Sequence, residues 1–357
     1  MNANKTMTPT KVKRESKRRI RVEFERTPLL ERLKAKFING AFLVNIIWFL
    51  FRFLLLLGVS YVILYPFYTK IAGSFMSAQD FVDVTVRLIP RHPTLGTYAA
   101  IIEDNDYLLA FRNTFLLSTL CAVLQTFICC VIAYGFAKFK FKGSKLLFLL
   151  VIFTMVVPHS TLQLSMFMKF RYFDIGIGKY GILSLLGGGI FESFAILEEP
   201  SWNLLNSYWP LVLLSATGLA FKNGLYIFML RQFFTGVPDA LEESAYIDGS
   251  GVFRTFFTII LPLSIPMMVT VFLFAFCWQW TDDFYTELFF TTQKIVLMPD
   301  VVDIPKSLQT DYAGQNMYYT AIRNTCGICI IMPLVILYCF GQNFLVQGIE
   351  RSGLTAE

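Results

Sequence analysis

The sequence predicts an all-α, polytopic membrane protein with about six transmembrane helices. Of its 357 residues, 55% are hydrophobic and only 16% are charged, whereas soluble domains carry about 25% charged residues. Six uncharged stretches are 17 to 27 residues long, and a membrane helix needs about 17–25 residues. The N-terminus is strongly basic, which is typical of a cytoplasmic segment beside a membrane span.

Each uncharged stretch is rich in Phe, Leu, Ile and Val and predicts one helix. The predicted spans are 50–72, 111–136, 146–168, 208–230, 265–289 and 320–343. The apolar run at 41–51 predicts an interfacial helix that leads into the first span. The chain then divides into a basic N-terminal segment with this helix (1–49), a transmembrane domain (50–343) and a C-terminal tail (344–357).

An even number of spans puts both termini on one side of the membrane. Residues 1–40 contain twelve Lys and Arg, which indicates the cytoplasm, because basic segments stay on that side. A basic run can also bind nucleic acid, but the adjoining span favours an anchor near anionic lipid. Four lysines at 138–145 then lie in the first inner loop, in agreement with this orientation.

The reactive side chains do not form a recognisable metal or redox centre. All seven cysteines lie in apolar runs. Cys326 and Cys329 form a CxxC motif, but no further Cys or His is near them in sequence, which favours buried thiols that act as small hydrophobes. His92 is predicted in an outer loop, and His159 follows Pro158 in a kinked third span. We therefore predict no metal site.

Polar residues inside or near membrane spans are functional candidates. Lys222 lies within the fourth span, or at its inner edge if the span starts earlier, where the lysine could snorkel to the interface. Asn223 beside it makes a water-lined face the alternative. Gln279, Trp280 and Asp282 lie toward the outer end of the fifth span. They either line a polar pathway or mark the exit of the helix into water. Together the five residues are candidates for a pathway through the membrane.

The loop between the fourth and fifth spans, residues 236–264, has the clearest local signals. Asp239 and Glu242 have the spacing of a capping box, and Gly249 is expected to end the helix in a left-handed conformation. A second short helix should follow and stop at Pro262. Its expected apolar face consists of Val252, Phe253, Phe256, Phe257 and Ile260. The pattern predicts a helix, a glycine turn and a helix on the cytoplasmic surface.

This loop resembles the EAA loop of ATP-binding-cassette (ABC) importer permeases. The family pattern is E-A-A, three residues, G, about nine residues and I-x-L-P. Here Glu-Glu-Ser-Ala-Tyr-Ile-Asp-Gly spans 242–249, and Leu-Pro follows at 261–262. Residues 243–245 correspond to the triplet and Gly249 to the glycine. Ser244 replaces the first Ala, which is a change from one small residue to another.

Other segments resemble the same family, in the same order. Residues 133–143 are similar to the end of its second span, 231–238 to the segment that enters the loop, and 88–98 to its first outer loop. Residues 346–354 are similar to the tails of the carbohydrate-uptake subgroup, the maltose-transporter-type permeases. The resemblance covers most of the chain, although the predicted second outer loop, 169–207, is longer than expected for that subgroup.

The resemblance implies type I ABC importer permease architecture in a bacterial cytoplasmic membrane. The chain would be a transport subunit and not an enzyme, and its EAA loop would be the coupling helix. The implied coupling residues are Glu242, Glu243, Ser244, Ala245, Asp248, Gly249, Leu261 and Pro262. Because the sequence has no G-x-x-x-x-G-K-[ST] phosphate loop, this chain is expected to bind no cofactor, and ATP and Mg²⁺ would bind to a partner ATPase.

The implied partners are a second homologous permease subunit, two cytosolic ATPase subunits, an extracellular solute-binding protein, a carbohydrate and the lipid bilayer, but no nucleic acid. An oligosaccharide is the substrate that the subgroup implies. A peptide, polyamine or amino acid remains open, because no residue here reads a sugar directly. A membrane sensor or scaffold is less favoured, because a sensor needs a cytoplasmic output domain. A secondary transporter would more often contain internal repeats.

Overall fold

The structure, a computed structural model, describes residues 40–83, 85–173, 202–292, 294–310 and 315–353. The expectations for the basic segment, for the tail beyond 353 and for residues 174–201 of the second outer loop concern residues outside these ranges. The chain divides into two units, 1–66 and 67–357. Among the described residues the regular elements are helices, and residues 173 and 202 form an isolated β-bridge.

Twelve α-helices are described. They are α1 Gly40–Ser74, α2 Ala78–Val82, α3 Gly96–Asp104, α4 Tyr107–Lys138, α5 Ser144–Val156, α6 Gln163–Arg171, α7 Trp209–Thr217, α8 Asn223–Gly236, α9 Ala240–Ile247, α10 Val252–Trp280, α11 Phe284–Phe289 and α12 Gln315–Gly353. Short 3₁₀ turns lie at His159–Leu162, Met298–Val301 and Lys306–Leu308.

Four of these helices are long and apolar enough to cross a membrane: 44–74 of α1, α4, α10 and 315–345 of α12. The pair formed by α5 and the helical segment from His159 to Arg171 counts as a fifth if its 97° bend lies within one span. The chain is therefore a helical, multi-pass membrane protein by length and composition. The count of six spans stays a prediction.

Helix α1 differs from the prediction at its beginning. The helix runs without a break from Gly40 through the predicted boundary at 49–50, so no helix end separates residues 41–51 from the first span, and their interfacial location stays a prediction. The physical reason is that no proline or helix-ending glycine separates the two apolar runs. The side chains from Val44 to Pro66 are exposed.

Helix α4 is the centre of the second unit. It packs against α7, α8 and α10, and α10 also packs against α12. Their shared core contains fully buried large side chains, among them Tyr226, Leu230, Phe234 and Trp280. Where the bundle contacts water, burial of apolar surface stabilises it. Within a bilayer, close packing of side chains does so.

The third and fourth predicted spans are each interrupted. Val157 is extended before Pro158, as the ring of a following proline favours, and the chain bends there. In the fourth predicted span, 208–230, α7 ends at Thr217 directly before Gly218, and α8 begins after Lys222. Gly218 and Lys222 have positive φ, +77° and +67°, which a continuous α-helix does not tolerate.

The predicted stop at Pro262 is wrong, because α10 continues through it. A π-helical turn at Phe256–Ile260 precedes the proline, and Leu261 N donates to Phe256 O five residues earlier. This wider turn changes the carbonyl positions that a proline ring would otherwise meet. The helix ends at Trp280, earlier than the predicted 289, and α11 follows after three residues.

Candidate functional site

The loop between α8 and α10 has the predicted helix–glycine turn–helix form. Helix α9 ends at Ile247, and Gly249 has φ +80°. The Ser250 N–H then donates to the Ala245 carbonyl at 2.9 Å, which is the bonding pattern of a glycine-terminated helix. A Cβ at Gly249 would meet no atom within 4 Å, so its backbone conformation, rather than crowding, requires glycine.

The predicted capping box is wrong. Neither Asp239 nor Glu242 caps α9 through its side chain. Instead, Asp239 Oδ1 accepts a 2.6 Å hydrogen bond from Lys138 Nζ, and Glu242 Oε1 accepts a 2.8 Å hydrogen bond from the Tyr134 hydroxyl. Both donors belong to the end of α4, so tertiary contacts take the place of the local cap.

These contacts attach the loop firmly to α4. The Tyr134 ring packs against Phe256 and Phe234, with centroid distances of 4.8 and 5.7 Å. Lys138 also donates to the Val237 carbonyl at 2.6 Å, and its side chain is only 7% exposed. The hydrogen bond and positive charge of Lys138 hold the pKa of Asp239 below its ordinary value.

The expected coupling residues divide into an inner and an outer set. Glu242 and Ala245 are buried within this chain. Exposed members are Glu243, Ser244, Asp248, Gly249 and Pro262, and Leu261 is partly buried. Ile247 and Phe253, which are 86% and 81% exposed, add an apolar surface of the kind that marks a protein interface.

A second feature is a cavity of about 360 Å³ where three helix interruptions meet. Pro158 and His159 come from the bend after α5, Phe221 and Lys222 from the break between α7 and α8, and Asp282, Phe284 and Tyr285 from the break after α10. Irregular backbone in a membrane protein is tolerated where it lines a cavity or lies inside the protein. We call these residues the break cavity.

Lys222 is held in a specific position in the break cavity. Its Nζ lies 4.4 Å from the centroid of the Phe221 ring and 4.6 Å from that of Trp278. Its backbone is left-handed, which costs about 1–3 kcal/mol for a residue other than glycine. Such strain is common at functional sites, and φ is +67° at Lys222.

Residues that the sequence did not single out as a set complete this wall. Tyr285 Oη and His159 Nδ1 are 3.0 Å apart, and the His159 ring packs edge-on against Phe221 at 4.3 Å. The sequence suggested a polar kink at Pro158–His159, but it gave no signal for the pairing with Tyr285. His159 and Tyr285 are more than 100 positions apart, and only the tertiary fold brings them together.

The five predicted pathway residues have different environments. Lys222 and Asp282 line the break cavity, and Gln279 and Asp282 line a smaller neighbouring cavity with Gln125 and Ser215. Trp280 is fully buried and donates its Nε1–H to Ile330 O at 3.0 Å, so its geometry favours helix packing. Asn223 is 1% exposed, and neither side-chain polar atom has a partner among the described residues.

Comparison with known proteins identifies the family. The family described as "Binding-protein-dependent transport system inner membrane component" matches residues 125–351, which is more than half of the chain. The chain belongs to this family. It is thus a permease subunit of an ABC importer, a transport subunit and not an enzyme.

Similar proteins include other permeases. The permease is 26% identical to the "Polygalacturonan/rhamnogalacturonan transport system permease protein YtcP" of Bacillus subtilis (strain 168), over 84% of this chain and 94% of that protein. It is 25% identical to the "Trehalose/maltose transport system permease protein MalG" of Thermococcus litoralis, over 86% of this chain and 98% of that protein.

A solved structure supports the fold independently. It is described as a "Crystal structure of a bacterial ABC transporter involved in the import of the acidic polysaccharide alginate", and it matches with a TM-score of 0.62. The match has 17% sequence identity and covers 84% of this permease and 97% of that chain. Permeases of this family generally act with a second permease, an ATPase and a binding protein.

Proposed function

We propose that this permease translocates an oligosaccharide that an extracellular solute-binding protein delivers. The proposal rests on the similarity of this chain to saccharide permeases over nearly their whole length. YtcP, MalG and the "Galactooligosaccharides transport system permease protein GanQ" of Bacillus subtilis (strain 168) are each covered over at least 94% of their length. Their names favour carbohydrate over the peptide or amino-acid alternative, and they include both charged and neutral saccharides.

The loop from α9 into α10 is proposed to couple transport to ATP hydrolysis. Its inner side is attached to α4 through Glu242 and Asp239, whereas Glu243, Ile247 and Phe253 are exposed. A surface that is attached to α4 on one side and apolar on the other suits a docked partner whose movement is transmitted to the permease. ATP and Mg²⁺ would bind to two separate ATPase subunits, and both termini of this chain would lie in the cytoplasm.

The test is ATP-driven uptake by the whole complex in proteoliposomes. Glu243→Lys should leave membrane insertion intact and abolish uptake, because it reverses a charge on the outer surface of α9. Gly249→Leu should do the same, since its left-handed backbone disfavours any side chain by about 1–2 kcal/mol. Ser250→Ala is the matched control in the same turn, because its backbone bond to Ala245 is retained. Normal uptake by both variants would contradict the coupling role.

A further inference from the structure

We propose that the break cavity binds the carboxylate of an acidic saccharide, a uronate, through the ammonium group of Lys222. The inference deepens the proposed transport of oligosaccharides and rests on it. It concerns the charge of the sugar, which neither the family nor the fold determines. The cavity volume of about 360 Å³ lies within the range of about 300–1,000 Å³ that is usual for small-molecule sites, so the end of a saccharide chain can enter.

The charge of Lys222 is not neutralised by any carboxylate in the part of the chain that the structure describes. Among the described residues, no carboxylate forms an ion pair with its Nζ. Its neighbours are instead the rings of Phe221 and Trp278. A ring face attracts an ammonium group without cancelling its charge, so the cation stays available for an anionic ligand.

Asp282 is an acidic residue in the cavity wall, but it forms no ion pair with Lys222. Its Oδ1 accepts a hydrogen bond of 3.4 Å from Tyr285 N. Its Oδ2 is buried and has no partner among the described residues. One oxygen is thus bound by the turn before α11, no ion pair joins Asp282 to Lys222, and Lys222 supplies the cationic group of the cavity.

The remaining walls suit a sugar ring. Phe221, Phe284 and Tyr285 offer aromatic surfaces, and a pyranose presents an apolar C–H face that packs against such rings. The Tyr285 hydroxyl and the His159 ring form a pair in which either group can also exchange a hydrogen bond with a sugar hydroxyl. Aromatic faces with a few placed polar groups are typical of a specific ligand site.

The first experiment measures binding without the selectivity of the binding protein. The permease complex with its partner permease and ATPase subunits, in nanodiscs, is titrated with trigalacturonate and with its carboxyl-reduced, neutral counterpart. The wild type should bind the acidic trisaccharide roughly 10- to 150-fold more tightly, the ratio expected for one charge-assisted hydrogen bond. Equal binding of the two sugars by the wild type would overturn the proposal without any variant.

Variants then locate the effect at Lys222. Lys222→Gln should remove most of the acidic preference, because it deletes the charge while keeping an ordinary side chain at the left-handed position. Lys222→Arg should retain the preference, since the charge remains. Lys70→Gln, which removes an exposed lysine on α1, is the control and should change nothing. An unchanged acidic preference in Lys222→Gln would overturn the assignment of Lys222.

Uptake separates this inference from the proposed function. ATP-driven uptake of either trisaccharide, with the complete complex and its binding protein, would support saccharide transport. If saccharides are imported but Lys222→Gln leaves the ratio of acidic to neutral uptake unchanged, only the inference fails. If an acidic and a neutral saccharide panel both give no uptake while an amino acid or peptide is imported, the proposed function fails and the inference fails with it.

Discussion

The Tyr134 hydroxyl donates a 2.8 Å hydrogen bond to Glu242 Oε1, although the two residues are 108 positions apart. Tyr134 belongs to the last turns of α4 and Glu242 to the first turn of α9, and both are buried. Helix α4 also packs against α8 and α10. A displacement of the loop therefore acts directly on the helix at the centre of the permease.

Tyr134→Phe should weaken the attachment of the loop. The phenylalanine keeps the ring contacts with Phe234 and Phe256 but removes the donor to the Glu242 carboxylate. Loss of a hydrogen bond partner of a buried group costs about 1–3 kcal/mol. We expect normal insertion and a lower stimulation of ATP hydrolysis by the loaded binding protein, measured in proteoliposomes.

Glu242→Gln is the control for this prediction, since its amide oxygen can still accept from Tyr134. It should retain most of the stimulation. In the double variant, the cost of removing the tyrosine hydroxyl should shrink, because the charge that needed it is absent. Identical stimulation in the wild type and Tyr134→Phe would show that this hydrogen bond carries no coupling.

How far the sequence predicts this loop can be seen at Asp239 and Glu242. The glycine turn at Gly249 follows from local backbone preference, and the structure confirms it. The capping box also followed a local rule, but α4 supplies stronger partners for both carboxylates. A one-dimensional pattern contains no information on which distant residue reaches a side chain, so it cannot exclude that competition.

The helix interruptions show the same limit. The sequence located uncharged stretches of membrane length, and α1, α4, α10 and α12 correspond to four of them. It indicated the kink at Pro158, because proline has a local effect. It did not indicate the break at Lys222, where a lysine is left-handed. The ammonium group of Lys222 also lies over the ring of Trp278, a contact between residues 56 positions apart that only the fold creates.

Lys138 and Asp239 should respond very unequally to substitution, although they form one ion pair. Lys138→Met removes a nearly buried side chain and leaves the Val237 carbonyl without its 2.6 Å donor, which costs about 1–3 kcal/mol. Asp239 is 78% exposed, so Asp239→Asn should have little effect, as for most exposed pairs. Thermal inactivation of the solubilised complex measures both. Equal losses would indicate that the charge pair, rather than the carbonyl bond, stabilises the loop.

The contribution of Asp239 to thermal stability should depend on pH, because its pKa is lowered in the folded protein. A carboxyl whose pKa falls on folding stabilises the protein above its unfolded value, about 3.9, and loses this contribution as pH falls through the folded value. The difference in the midpoint of thermal inactivation between Asp239→Asn and the wild type should therefore be constant between about pH 5.5 and 8. A change in this difference near pH 6 or 7 would contradict the lowered pKa of Asp239.

Gly224→Ala should disrupt the packing of α8 against α5. A Cβ at this position would lie 2.7 Å from Thr154 Oγ1, 2.9 Å from Met155 Cγ and 3.0 Å from the Val151 carbonyl. The threonine and methionine side chains can rotate away, but the carbonyl belongs to the helix backbone and cannot. Overpacking of this kind costs about 1–3 kcal/mol, so we expect a lower midpoint of thermal inactivation.

Gly327→Ala in α12 is the matched control, because a Cβ there would meet no atom within 4 Å. Alanine is the better helix former by about 0.5–1 kcal/mol, so this variant should be at least as stable as the wild type. Gly224→Ala should also reduce saccharide uptake more than stability alone explains, since α8 begins directly after Lys222 and moves with it. If both alanine variants behave alike, the two helices do not approach as closely at Gly224 as the structure indicates, and the break cavity is not set by their contact.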